Sequence, residues 1–193
     1  PYNTDTRTCL WTTGIASNPT YNYCSNQSPG NITVYYSQIK TMTLGYMTPG
    51  TTMYKGNNTA TSQDYKVQIL SALNWLKHNW YSRGDGTTNG TTGATRYHTG
   101  WWTDCNSSSC TNFYDWEIGT PLLFADNLTL MYSDLSSTTI ADYTADIFYY
   151  CNSVTQPPGD TTYNYSGANL VWRAQVWAVA GAVEANSISD SRM

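Results

Sequence analysis

The stretch SQDYKVQILSALNWLKHNW, residues 62–80, gives the clearest secondary-structure signal in the chain. Its apolar residues recur at spacings of three and four, which is typical of one face of an α-helix. These residues are Val67, Leu70, Leu73, Trp75, Leu76 and Trp80. Ser62 is a suitable N-cap for the first turn. Because no segment shows a strict apolar–polar alternation long enough to require a sheet, this helix indicates an all-α fold.

Four further helices are predicted around this one, at residues 33–46, 119–132, 136–150 and 168–185. Pro121 lies in the predicted first turn of the 119–132 helix, where a missing N–H is tolerated. Thr48-Pro49-Gly50 ends the first helix. The apolar faces are formed by Tyr35, Ile39, Met42 and Tyr46, by Ile140, Tyr143, Ile147 and Tyr150, and by Val171, Ala174, Val176, Val179 and Val183.

Long loops separate the predicted helices. Residues 1–32 are turn-rich and are predicted to be an N-terminal loop segment, with 33–193 as the helical domain. Residues 82–112 and 152–166 form two more loops, and loops longer than about 12–15 residues are usually functional or disordered. The first of them carries Trp101 and Trp102, which favours a functional loop.

Composition excludes several classes of protein. The 193 residues carry a net charge of −4, and only 11% are charged, against roughly 25% in ordinary domains. Thr (30), Ser (18) and Asn (17) supply the polarity instead, about a third of the chain. Without a basic excess no nucleic-acid partner is expected, and no apolar run reaches the ~18–20 residues of a membrane span.

The cysteines and the sequons point to a secreted protein. Cysteine and histidine spacing does not fit a zinc site, so no metal is expected. Cys9–Cys24 and Cys105–Cys110 are plausible local disulfides, and Cys151 is left as a free thiol or with a partner outside the chain. Low charge, many hydroxyls and disulfides together indicate an extracellular location. The candidate glycosylation sites are Asn26, Asn31, Asn57, Asn89, Asn106, Asn127 and Asn164.

Aromatic and amide side chains concentrate in the two long loops, each of which ends where a helix begins. Pyranose rings stack on aromatic faces while amides bind sugar oxygens, so we expect a carbohydrate site. Aromatic residues in loops also form satellite packing clusters, and composition alone favours that alternative. Asp115 and Glu117, two residues apart, are predicted to cap a helix N-terminus rather than to act as a hydrolytic carboxylate pair. His78 and His98 show no pattern of a catalytic base.

Four blocks occur in an order that resembles a known family. They are MTLGYMTPG (42–50), LSALNWL (70–76), NFYDWEIGTP (112–121) and SGANLVW (166–172). This series resembles the N-terminal α/α-toroid domain of polysaccharide lyase family 8, which includes hyaluronate, chondroitin AC and xanthan lyases. The resemblance covers residues 33–185. It implies an incomplete (α/α) toroid of helical hairpins with long aromatic-rich loops.

The resemblance also implies a site. An aromatic patch positions the polysaccharide in the family, and its Asn-Trp-Trp segment reads Asn112-Phe113-Tyr114 here, with Tyr163 at the place of a further aromatic. Asn169 matches the catalytic asparagine that binds the uronate carboxylate. Arg173, one turn later, is expected to assist binding, as are Trp101 and Trp102 in the same loop as the patch. No cofactor is implied.

The family's base and acid, a His and a Tyr, lie downstream of that asparagine. This sequence ends 24 residues after Asn169, so we expect a second chain or a missing C-terminal part to carry them. The implied activity is β-elimination of a uronate-containing polysaccharide by a carbon–oxygen lyase, with this chain alone inactive. The alternative is a non-catalytic carbohydrate-binding or structural extracellular glycoprotein. Asn164 is a sequon near Asn169, and a glycan there would crowd the site.

Overall fold

The computed structural model describes residues 29–57, 64–79, 81, 114–156 and 164–190. These ranges hold five α-helices and no β-strand, which confirms the predicted helices and the all-α class. The helices are α1 (Pro29–Met47), α2 (Tyr65–Asn79), α3 (Thr120–Leu130), α4 (Ser137–Tyr150) and α5 (Gly167–Asp190). Within these ranges no helix combines the length and hydropathy that a membrane crossing requires, and no three His, Cys, Asp or Glu side chains are arranged to hold a metal ion.

Two helices begin at other residues than predicted. Helix α1 begins at Pro29, so the predicted loop segment 1–32 includes four helical residues at its end. Helix α2 begins at Tyr65, and the Asp64 carboxylate caps it by accepting the Lys66 N–H at 2.7 Å. The predicted cap, Ser62, lies outside the described residues, and so do residues 1–28 of the predicted loop segment.

Helix α3 is preceded by a π-helical turn, Asp115–Gly119, where the sequence predicts a loop. The Thr120 N–H bonds to the Asp115 carbonyl, five residues back. Pro121 has no N–H to bond to the Glu117 carbonyl, so the helix loses little by widening here. Pro121 therefore lies in the first turn of α3, as predicted, but the π-turn extends the helical segment back to Asp115.

The core is built around α3, which packs against α1, α4 and α5, while α1 also packs against α2. Tyr81, Trp116 and Tyr150 form a buried aromatic stack with ring centroids 4.1–6.0 Å apart. The Tyr81 hydroxyl donates to the Trp116 carbonyl at 2.9 Å. This stack fixes the π-turn against α4, because Trp116 belongs to the turn and Tyr150 ends that helix.

Asn127 is a core residue that ties α3 to α1. Its amide nitrogen donates to the carbonyls of Tyr36 (3.2 Å) and Leu123 (2.8 Å), and its oxygen accepts from the Thr43 hydroxyl at 3.0 Å. The side chain is fully buried. The prediction of glycosylation at Asn127 is therefore wrong, because a glycan would have to replace these bonds and leave the core.

The buried face of α5 agrees with the prediction at Val176 and Val183 and differs from it at the start of the helix. Val171 is 64% exposed and Ala174 is exposed, whereas Arg173, Val176 and Ala180 are buried. In α2, Val67 is likewise 57% exposed. The buried Arg173, at the start of the α5 face, belongs to the candidate site through its ion pair with Glu117.

Candidate functional site

The π-turn is anchored on one side to α1. The Thr33 hydroxyl donates to the Asp115 carboxylate at 3.0 Å and lies 3.0 Å from the Thr120 hydroxyl. A side chain at Gly119 would meet the Tyr114 ring at 3.1 Å and the Thr33 methyl at 3.4 Å. Gly119 therefore allows the Tyr114 ring to lie against the turn.

On its other side the π-turn is anchored to α5 by a buried ion pair. Glu117 Oε2 accepts from Arg173 Nη1 and from the Tyr165 hydroxyl, the latter at 2.8 Å. The Arg173 guanidinium also lies over the Tyr165 ring, 4.5 Å from its centroid. The prediction that Glu117 caps a helix N-terminus is wrong, because the carboxylate is buried among these partners.

Arg173 closes the base of the second long loop. Its Nε donates to the Ser153 carbonyl at 2.8 Å, and Nη2 donates to the carbonyls of Ser153 and Gln156. Across the loop, the Tyr165 N–H donates to the Thr155 carbonyl at 2.7 Å. Both ends of the loop are thus bound to each other and to α5.

The ion pair is shielded from solvent. Arg173 is fully buried and Glu117 nearly so. Burial raises the pKa of the Glu117 carboxyl, and the Arg173 charge and the Tyr165 hydroxyl oppose that shift. The prediction that Arg173 binds substrate is wrong for this conformation, because its donors are engaged within the protein and none of it is accessible.

Asn169 lies in the first turn of α5 and is partly exposed. The chain enters the helix through Gly167, whose φ of +57° favours glycine. One turn after Asn169, Trp172 is 38% exposed, and its ring packs edge-on against Tyr114 at a centroid distance of 5.5 Å. Asn169 and Trp172 are three residues apart and therefore on one side of the helix. The structure thus brings Tyr114, at the end of the first loop, to the helix that carries Asn169.

Other predicted site residues are not described by the structure. They are Trp101, Trp102, Asn112, Phe113 and Tyr163, together with His98, the sequons Asn26, Asn89 and Asn106, and Cys9, Cys24, Cys105 and Cys110. Asn31 belongs to α1. Asn57 and Asn164 are exposed, so the fold leaves room for a glycan on each.

Cys151 is a buried free thiol directly after α4. Burial raises the pKa of this thiol to about 12, against the opposing charge of Arg173. Its complete burial argues against the predicted alternative of a partner outside the chain.

We expect Cys151 to resist alkylation in the folded protein. Iodoacetamide at pH 8 reacts with thiolate, and burial keeps both the thiolate fraction and the access low. Peptide mass spectrometry after a timed reaction should find Cys151 unmodified, and modified when the same reaction is run in concentrated urea. Rapid labelling of the folded chain would contradict the buried position.

The sequence analysis did not identify two features of the site, the exposed Trp172 and the buried Glu117–Arg173 ion pair. Trp172 lies in the SGANLVW block but was not predicted to bind substrate. The sequence does carry a signal for the ion pair. Four residues of α5 recur at spacings of three and four and are all buried, and one of them is charged: Arg173, Val176, Ala180 and Val183. A charged residue in such a stripe indicates a buried partner.

The chain is similar to known polysaccharide lyases. Residues 94–190, about half of the chain, match the family described as polysaccharide lyase family 8, N-terminal alpha-helical domain. Xanthan lyase of Bacillus sp. (strain GL1) is 28% identical over 182 residues, which cover 94% of this chain and 15% of that protein. The chain therefore spans about a seventh of the length of that relative.

Solved structures agree with this match. Paenibacillus xanthan lyase aligns with a TM-score of 0.59 at 28% identity, covering 89% of this chain and 13% of that one. Streptomyces coelicolor A3 chondroitin AC lyase, solved in complex with chondroitin sulphate, aligns with a TM-score of 0.54 at 22% identity. That alignment covers 80% of this chain and 17% of the lyase, and it supports the fold alone. Together they confirm the helical hairpins of the α/α-toroid type.

Proposed function

Because this chain belongs to polysaccharide lyase family 8, we propose that it forms part of a secreted lyase that cleaves a uronic-acid-containing polysaccharide by β-elimination. In this proposal the chain supplies the carboxylate-binding amide of Asn169 and an aromatic platform. The observation that carries it is the packing of Tyr114 against Trp172, which lies three residues after Asn169 in the first two turns of α5.

The start of α5 suits a uronate carboxylate. The first N–H groups of a helix lack intrahelical acceptors, and the helix dipole favours a negative charge there. Asn169 adds an amide donor in the same turn. Among the described residues at the start of α5 the site offers dipoles, and the nearby Arg173 is paired with Glu117.

Those donors match the charge that develops in the reaction. A base removes the C5 proton of the uronate, the electron pair forms the C4–C5 double bond, and the C4–oxygen bond breaks. An acid protonates the departing oxygen, which leaves an unsaturated uronate at one new end and a hydroxyl at the other. Negative charge grows on the carboxylate as the proton leaves, so a placed amide stabilises the transition state.

We assign the base and the acid to polypeptide beyond these residues. The resemblance implies a His and a Tyr downstream of Asn169, and the matched xanthan lyase is about seven times longer than this stretch. The resemblance assigns further substrate contacts to residues outside the described ranges, and the proposal keeps them: Asn112, Phe113, Tyr163, Trp101 and Trp102. Exposed sequons at Asn57 and Asn164 are compatible with secretion.

Trp172→Ala is expected to weaken polysaccharide binding about tenfold, because sugar stacking on the exposed ring is lost. The measurement is isothermal titration of the chain with chondroitin sulphate and with xanthan, using dextran as the uncharged control. Trp177→Ala is a matched variant, since Trp177 is on the same helix and is also 38% exposed. Its ring packs on Phe148 and donates to the Cys151 carbonyl, away from Tyr114.

The proposal expects Trp177→Ala to bind as the wild type does. Equal loss in both variants would contradict a platform at Trp172. Binding to dextran as strong as to the uronate polymers would favour the alternative, a carbohydrate-binding or structural glycoprotein without this chemistry.

A further inference from the structure

We propose that Glu117 and Arg173 are positioning residues, a buried clamp that sets the geometry between Asn169 on α5 and the aromatic platform of Tyr114 and Trp172. This inference rests on the proposed function, because it assigns the clamp to that same site. The clamp does not touch the polysaccharide. It acts through the π-turn and the start of α5, the two segments that carry the proposed substrate-binding residues.

The clamp joins the segments that carry the site. Glu117 lies in the π-turn three residues after Tyr114, and Arg173 lies one helical turn after Asn169. The same guanidinium holds the carbonyls of Ser153 and Gln156, at the start of the second loop. Tyr165, at the end of that loop, donates to Glu117. One buried pair therefore links both loops to the start of α5.

Helix geometry makes this link effective. Residues four apart on an α-helix lie about 40° apart around its axis, so Asn169 and Arg173 move together when the helix rotates. A shift of the first turn of α5 relative to the π-turn would stretch the Arg173–Glu117 contact and move Trp172 relative to Tyr114. The clamp thus opposes the motions that would separate the amide from the platform.

Arginine is suited to this task in a way that an apolar residue is not. Its planar fork points donors in fixed directions, and here they reach a carboxylate and two carbonyls on separate segments. A leucine or a methionine would fill the volume, remove the guanidinium donors from both carbonyls and leave the Glu117 carboxylate with the Tyr165 hydroxyl but without its charge partner. Lysine would carry the charge without the fork.

The test uses Glu117→Gln, which keeps the size of the side chain and removes its charge. A matched control is Asp146→Asn, because Asp146 is fully buried, pairs with Lys77 at 3.3 Å and lies on α4, outside the site. Titration of each folded variant with chondroitin sulphate should show about a tenfold loss of affinity for Glu117→Gln. Asp146→Asn should change affinity by less than about twofold.

A double-mutant cycle with Trp172→Ala separates positioning from general destabilisation. If the clamp acts through the platform, Glu117→Gln should cost little further affinity once Trp172 is alanine, whereas Asp146→Asn should have the same small effect in both backgrounds. Tyr165→Phe, which removes one hydroxyl from the clamp, replaces Glu117→Gln in the cycle if that variant does not fold.

The outcomes are distinct. Equal losses for the Glu117 and Asp146 variants, or full additivity with Trp172→Ala, would overturn the clamp and leave the proposed function standing. If the wild-type chain binds no uronate polysaccharide, the proposed function and the clamp are both overturned.

Discussion

Arg173→Met is expected to lower the free energy of unfolding by about 3–5 kcal/mol, because removal of one partner leaves the other charge of a buried pair uncompensated. The melting temperature should fall by roughly 6–20 °C for a chain of this size. Glu117 would keep one hydrogen bond, from Tyr165, and the carbonyls of Ser153 and Gln156 would lose their donor. Calorimetry at matched protein concentration measures the change.

The stability that Arg173→Met loses is expected to be larger at high pH than at low pH. Without Arg173, burial alone raises the pKa of the Glu117 carboxyl above its unfolded value, so the folded state then binds the proton more tightly. The loss should therefore be small below the unfolded pKa of glutamate and grow as the pH rises through the folded pKa. A melting temperature deficit that is larger at pH 5 than at pH 8 would contradict the pairing.

The double variant Glu117→Leu/Arg173→Met is the control for the charge. Well-packed apolar residues in place of a buried ion pair are often neutral or stabilising. The double variant should therefore recover part of the stability, although the loss of the guanidinium donors to the Ser153 and Gln156 carbonyls prevents full recovery. A double variant less stable than Arg173→Met would show that the deficit has another origin.

Under the proposed function, Asn169→Ala is expected to reduce kcat of the proposed lyase that contains this chain about 10²–10³-fold, the usual effect of removing one donor from developing negative charge. The rate is followed by the ultraviolet absorbance of the unsaturated uronate end. Asn169→Asp should lose at least as much, because a carboxylate would repel the uronate.

Asn186→Ala is the matched control for Asn169→Ala. It removes an asparagine from the same helix, 17 residues further on, at a distance of about 25 Å along the axis. Its turnover should equal that of the wild type. If Asn169→Ala turned over as the wild type does, the catalytic role would belong to another residue.

Much of the fold follows from helical periodicity. The faces of α1 and α4 are buried as predicted, at Tyr35, Ile39, Ile140 and Ile147. In α5, Val176 and Val183 are buried as predicted, whereas Val171 and Ala174 are exposed and the charged Arg173 is buried between them. The π-turn could not be foreseen, since Pro121 looks like an ordinary first-turn proline until the helix is known to begin earlier.

The site was predicted in part by resemblance, which supplied Tyr114 and Asn169. Its interior could not be predicted, because pairing of Glu117 with Arg173 depends on how α5 packs on the π-turn, 56 residues away in the chain. Asn127 is a residue whose local motif predicts a surface position but which tertiary packing buries. A sequon motif is local, whereas two of the three hydrogen bonds of this buried amide, to the Tyr36 carbonyl and from the Thr43 hydroxyl, come from tertiary packing.

The central claim is that Asn169 and the start of α5 bind a uronate carboxylate, and a comparison of two polymers tests it most directly. The affinity of the chain is measured for chondroitin and for the same polymer with its carboxylates reduced to alcohols. The account predicts at least about tenfold tighter binding of the carboxylate form by the wild type, and a clearly smaller preference in Asn169→Ala, which keeps only the helix N–H groups. Equal affinity of the wild type for the two polymers would contradict it.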